Sequence, residues 1–462
     1  MRTPLIALFL LPLWAYAQHH PLSLSEAFSI AEAHNHSIAI AREGIATAKA
    51  EAREINSLWY PTITLSAEYS HSLSEVAAVT TIGEIGGEVL DGLESTLATN
   101  PPLAALVEGV AASPITLPLI PRNTAEVGVE IAWVVFSGGR RMQSAKISEA
   151  VKALANQRLS ASRDAVGCAV VESYFALCLA ERIVEVRGQE VASLAEHLRQ
   201  ARSLEREGMI VPAERLTAEV AWEQSKAEFE AAQSNSMVAN SALTTLLGCD
   251  ISAITATTPL FIPDTPPSKE FLFSQIAHSP TLQSIEHQEE IASLSLASER
   301  GRYLPSVALL GHQQLWSVGL NKHLFPRTIV GVGLSWTLFN GLMREGAMAR
   351  AKSLVRTTNT THKKVGNEMH LAIEKFYSEL TTALDEHRVG THTIALAREL
   401  LRSRERAFAE GMATSSEVVD ARLLLSQIEV ANLTNLYRAD CALGNLLMLT
   451  GCMDNYLSYT PQ

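Results

Sequence analysis

The chain has 462 residues, 47% of them hydrophobic and 19% charged, and its formal net charge is −12. An acidic chain repels polyphosphate, which excludes nucleic acid as a partner. Five cysteines, an odd number without paired Cys-x-x-Cys spacing, exclude a zinc framework or a disulfide-stapled scaffold.

Residues 1–17 read as a secretory signal: Arg2 supplies the positive end, Leu5 to Leu13 the apolar run, and Ala15-Tyr16-Ala17 the small-x-small cleavage site. Gln18 rather than a cysteine follows, so no lipid anchor is expected. Export exposes the cysteines to an oxidising compartment. Cys168 and Cys178 are roughly 15 Å apart on one predicted helix, too far to bridge. Beyond residue 17 no uncharged apolar run is long enough for a transmembrane helix, and the nearest, Pro101 to Pro121, is interrupted by Glu108, Pro114 and Pro118. The mature chain is therefore expected to be soluble in the periplasm or to cross a membrane as a barrel.

The mature sequence is built twice. Phe136-Ser137-Gly138 recurs 203 residues on as Phe339-Asn340-Gly341, and the same shift carries Trp133 onto Trp336, Tyr174 onto Tyr377, and Glu207-Gly208-Met209 onto Glu410-Gly411-Met412. Upstream, Ala33-His34 and Pro61 match Ala277-His278 and Pro305 at a shift of 244, so the first copy holds 41 additional residues. One structural unit has been duplicated. The expected organisation is a first repeat over 18–248, a Pro-rich linker over 249–268, and a second repeat over 269–462.

Each repeat opens with a helix, expected over Ser25 to Leu58 and Lys269 to Arg302, and stopped by Tyr60-Pro61 and Tyr303-Leu304-Pro305. Period-two segments follow. Ile63, Leu65, Ala67 and Tyr69 alternate with Thr62, Thr64, Ser66 and Glu68, and Val127 to Val135 alternate with Gly128, Glu130 and Ala132. Val330, Val332, Leu334, Trp336 and Leu338 alternate with Gly331, Gly333, Ser335 and Thr337, whereas Ser306 to Trp316 is irregular. One apolar and one small or polar face over about ten residues suits a membrane barrel strand, although a half-buried soluble sheet also alternates. Tyr60, Trp133, Tyr303 and Trp336 cluster where strands meet helices, like an interfacial aromatic belt. Four strands cannot close a barrel, and an open edge in lipid leaves backbone groups unbonded, so several chains must share one. The extra residues fall within 74–122 and read as an elaborated external loop.

Gly139 to Glu207 and Leu342 to Glu410 contain no proline, and each would make a helix of roughly 100 Å. Val170, Leu177, Val184, Val191 and Leu198 repeat every seven residues, as do Ile373, Leu380, Ile394 and Leu401 in a series broken only at His387, and sustained heptads specify coiled-coil packing. Turns at Gly208 and Gly411 suit left-handed helix ends. Pro212 fits the first position of the next helix, and Thr414-Ser415-Ser416-Glu417 reads as a capping box.

Signal, tandem repeat, Tyr-Pro before a strand, Phe-x-Gly after the returning strand and Gly-turns between long helices together resemble the TolC family of outer-membrane factors. The resemblance implies a mainly α protein with β: a homotrimer whose four strands per chain form a shared twelve-stranded outer-membrane β-barrel above a long periplasmic α-helical barrel. It implies outer-membrane lipid around the barrel, a periplasmic adaptor (membrane fusion) protein at the helical tips, and an inner-membrane transporter of RND, ABC or MFS type. The duct would serve a tripartite efflux pump or type I secretion system, with no cofactor. In such channels acidic side chains narrow a closed iris. The matching positions are Glu417 and Asp420, three apart on one helix face. Gly208, Pro212, Glu214, Gly411 and Thr414 would dock the adaptor, and Glu214 would also place a favourable charge at its own helix N-terminus. Nucleotide-binding, nucleophile-elbow and metalloprotease motifs are absent, so an enzyme is not expected. The competing reading is a soluble periplasmic coiled-coil adaptor or scaffold.

Overall fold

The computed structural model describes residues 20–73, 76–81, 84, 87, 101–120, 122–249, 253–319 and 326–461. The signal, 1–17, lies outside them, as does much of 74–122. The chain divides into two compact units: Met1–Ala50 with Glu149–Ala292 and Leu354–Gln462, and Glu51–Ser148 with Ser293–Ser353.

The helical repeat is regular to the residue. Helices α4 (Arg140–Arg206) and α8 (Met343–Ala409) each have 67 residues, and their return partners α5 (Pro212–Leu247) and α9 (Ser415–Thr450) each have 36. Every boundary differs by the same 203 residues. Gly208 and Gly411 stand at φ 75° and 70°, and the amides after them bond back to Leu204 and Ala407 carbonyls at 2.9 and 2.8 Å. Gly248 and Gly451 close the return helices in the same left-handed state.

The core of the first unit gathers Val170, Tyr174, Phe175, Leu177, Ile373 and Leu380 of the long helices against Leu243, Leu247, Leu443, Leu446 and Leu447 of the return helices. Four of these eleven, Val170, Leu177, Ile373 and Leu380, are heptad positions, whereas Val184 and Val191 are only partly covered. The linker is not structureless. Strand β1 (His20–Leu22) pairs in parallel with β6 (Ile254–Ala256). The Tyr174 hydroxyl donates to the Leu22 carbonyl at 2.7 Å and accepts from the Thr258 amide at 2.8 Å, fastening both strands to the long helix.

The opening helices of the repeats are not continuous. In the first repeat α1 (Leu24–His34) stops at Asn35, whose backbone is extended, and α2 (His36–Ser57) restarts after it. Asn35 Oδ1 accepts from the Ser37 amide at 2.8 Å while Nδ2 donates to the Leu246 carbonyl at 2.8 Å, a local bond that competes with helix. In the second repeat α6 (Lys269–Gln275) and a short 3-10 turn end at Ser279, and Pro280 starts α7 (Pro280–Gly301). A residue before proline disfavours helix, which places this break.

The second unit holds an antiparallel sheet in the order β2 (Thr62–His71), β5 (Asn123–Phe136), β7 (Ser306–Val318), β8 (Thr328–Ser335). Register puts Ser66 opposite Gly128 and Glu68 opposite Glu126 on one face, and Leu65 opposite Val129 on the other. The irregularity of the third strand is a register shift between Val127 and Gly128, which pair with Trp316 and Gln314 and leave Leu315 unopposed. The apolar face is bare: Leu65 is 68% exposed, Val330 81% and Val332 70%. The elaborated loop contains a second antiparallel pair, β3 (Val76–Thr81) with β4 (Pro114–Ile120), and a short helix α3 (Pro101–Ala111). No helix among the described residues is long and apolar enough to cross a membrane.

Candidate functional site: strand junctions and hairpin tips

The aromatic positions are held by a device present in both repeats. The Trp133 indole donates to the Trp59 carbonyl at 3.0 Å, and the Trp336 indole donates to the Tyr303 carbonyl at 3.1 Å. Beside each is an arginine that the sequence reading did not single out. Arg141 donates to the Val134 and Val135 carbonyls, and Arg344 to those of Thr337 and Leu338, both at 2.7 Å for Arg344. Each guanidinium covers a ring, Arg141 at 4.0 Å from Trp59 and Arg344 at 4.7 Å from Tyr303. A planar fork bonds two consecutive carbonyls while its face stacks on an aromatic. The pair is a shift of 203 apart, so the repeat could have revealed it. Tyr60, Trp133, Tyr303 and Trp336 are all exposed around these buckles.

At the tips, Pro212 opens α5 as expected, with no side-chain cap from Val211. Thr414 and Glu417 form the capping box: Thr414 Oγ1 accepts from the Glu417 amide at 3.3 Å, and Glu417 accepts from the Thr414 amide at 3.0 Å. Glu417 also pairs with Arg404 at 3.2 Å, so its charge is partly compensated. Asp420 is exposed, its carboxylate 3.5 Å from the Ser416 hydroxyl, and borders a cleft of about 500 Å³ between α5 and α9 with Leu216, Val220 and Leu423. Glu214 lies in the first turn of α5, the favourable charge expected there, and its carboxylate also crosses to accept the Ser415 amide of the other repeat at 2.6 Å. Pro212 carries no amide hydrogen to bind, whereas the first amides of α9 have no intrahelical acceptor.

Further along the same hairpins a polar layer interrupts the apolar seam. Glu190 is fully buried, accepts from Ser426 Oγ at 2.5 Å and from Arg187 at 2.7 Å, and Arg187 also reaches Glu228 at 2.8 Å. The buried carboxylate thus bonds α4 to α9, and Arg187 carries the network on to α5.

The model of the family described as outer membrane efflux protein matches residues 27–249 and 274–452, and the chain belongs to that family. It is an outer-membrane efflux channel protein with a large periplasmic extension, and the family consists of channels rather than catalysts. Solved structures share the fold. CusC superposes with a TM-score of 0.75 at 14% identity, covering 92% of this chain and 91% of its own. VceC from Vibrio cholerae gives 0.75 at 15% identity, covering 93% and 96%, and the open-state MtrE channel of Neisseria gonorrhoeae gives 0.71 at 15% identity, covering 93% and 88%. No curated protein sequence matches.

Proposed function

We propose that the chain works as a homotrimer, each copy lending four strands to one twelve-stranded barrel, and forms the exit duct of a tripartite efflux pump or type I secretion system. The observation that carries this reading is the open sheet. Its outer strands β2 and β8 each pair on one side only among the described strands, and its apolar face is exposed. Lipid tolerates no open strand edge, so closure requires further copies. A soluble adaptor would not present such a face. The tips around Gly208, Pro212, Glu214, Gly411 and Thr414 dock a periplasmic adaptor, behind which stands an inner-membrane transporter of RND, ABC or MFS type. Native mass spectrometry in detergent is expected to give three chains, and a stable monomer would overturn the shared barrel. Cysteines placed at Met209 and Met412 are expected to crosslink to the cognate adaptor. Crosslinks confined to the middle of the long helices would overturn tip docking.

A further inference from the structure

We propose that His197, Ser415 and Glu214 form a proton-sensitive latch that holds the two hairpin tips of one chain together at neutral pH and releases them on acidification. Three helices meet at one residue. Ser415, fully buried at the start of α9, shares a hydrogen bond with His197 Nε2 of α4 at 2.7 Å, and its amide donates to Glu214 of α5 at 2.6 Å. The His197 ring is 5% exposed and lies against Phe408 of α8, with ring centres 4.6 Å apart. The repeat does not duplicate this cluster, because Leu400 occupies the position equivalent to His197.

The charges facing His197 come from every helix around it. Its own helix offers Glu196, α5 offers Glu214, and α8 contributes Arg402, Glu405 and Arg406 around the adjoining cleft, of about 350 Å³. At the start of α9 the nearby carboxylate, Glu417, is already paired with Arg404. Burial pulls the imidazole below its ordinary value, and the Glu214 charge opposes that pull without reversing it.

A group harder to protonate in the closed arrangement than in water makes protons favour the open one. The sign follows directly. Above the ordinary imidazole range, about 6.5, His197 is neutral in both arrangements and the latch is at full strength. As pH falls below it, the open arrangement gains protons first, and the latch weakens by about tenfold per pH unit until the depressed value is reached. The latch is internal to one chain, so its failure leaves the reading of assembly and docking untouched.

Hydrogen exchange of the segment 412–420 in the purified assembly, corrected for intrinsic chemistry, tests this between about pH 7.5 and about pH 5.5. Wild-type protection is expected to fall, by at most about tenfold. His197→Gln keeps a hydrogen-bonding side chain without a titrating ring, and is expected to retain protection at the upper pH and lose the fall. Ser415→Ala, which keeps the amide bond to Glu214 but not the bond to His197, is expected to lower protection at the upper pH. A pH-independent protection in the wild type would overturn the latch, and so would a wild-type fall in His197→Gln or unchanged protection in Ser415→Ala.

Discussion

Gly138 and Gly341 offer a controlled comparison within one molecule. They follow the returning strands at equivalent positions, with φ of 65° and 67°. A Cβ added at Gly138 would lie 2.2 Å from the Gly301 carbonyl oxygen, whereas at Gly341 it would meet nothing within 4 Å. Placing alanine in a left-handed backbone costs about 1–2 kcal/mol at either site. At Gly138 the obstacle is backbone, which no rotamer change moves aside, and forcing it apart adds about 1–3 kcal/mol. Gly341→Ala is therefore expected to destabilise by about 1–2 kcal/mol and Gly138→Ala by about 2–5 kcal/mol. Urea unfolding followed by tryptophan fluorescence measures both, since Trp133 and Trp336 belong to the two junctions. Equal midpoints, or a lower one for Gly341→Ala, would refute steric contact as the reason for the first Phe-x-Gly motif.

The arginine buckles predict that Arg344→Lys costs about 1.5–3 kcal/mol, because an ammonium cannot bond two carbonyls and cover Tyr303 together; the same urea midpoints measure it. Asp164 is raised by burial, with Asp454 adding to it, from 3.8 to about 7. The folded chain therefore holds a proton there that the unfolded chain releases, and stability should fall as pH rises from about 4 to about 7. Asp164→Asn should flatten that part of a midpoint-against-pH profile. In planar bilayers Asp420→Ala is expected to weaken cation selectivity, and Glu417→Gln to do so less, since Arg404 already offsets Glu417. Unchanged selectivity in the double variant would place the constriction elsewhere.

The large elements were legible because each depended on spacing alone. A 203-residue shift located both long hairpins, and the glycines and Pro212 located their ends. What escaped depended on partners distant in sequence. Asn35 breaks a helix of high local propensity because a carbonyl from residue 246 awaits its side chain. Glu214 has the composition of an ordinary N-terminal acid, and only the neighbouring hairpin reveals which amide it serves. Arg141 and Arg344 look like ordinary helix-start cations until the strand carbonyls beneath them are seen. The 41 additional residues read as loop because strands as short as Val76–Thr81 carry too little alternation to stand out.

The crossing of Glu214 to Ser415 has a consequence for how this duplicated chain can change. The second tip borrows a carboxylate from the first. A chain assembled from two second halves would place Glu417 where Glu214 stands, already committed to its own Thr414, and would leave one amide per tip without an acceptor. The halves have ceased to be interchangeable parts. In a closed ring of three chains the six tips would then be of two alternating kinds, so a visiting protein would meet three-fold rather than six-fold symmetry and could tell one kind of seat from the other.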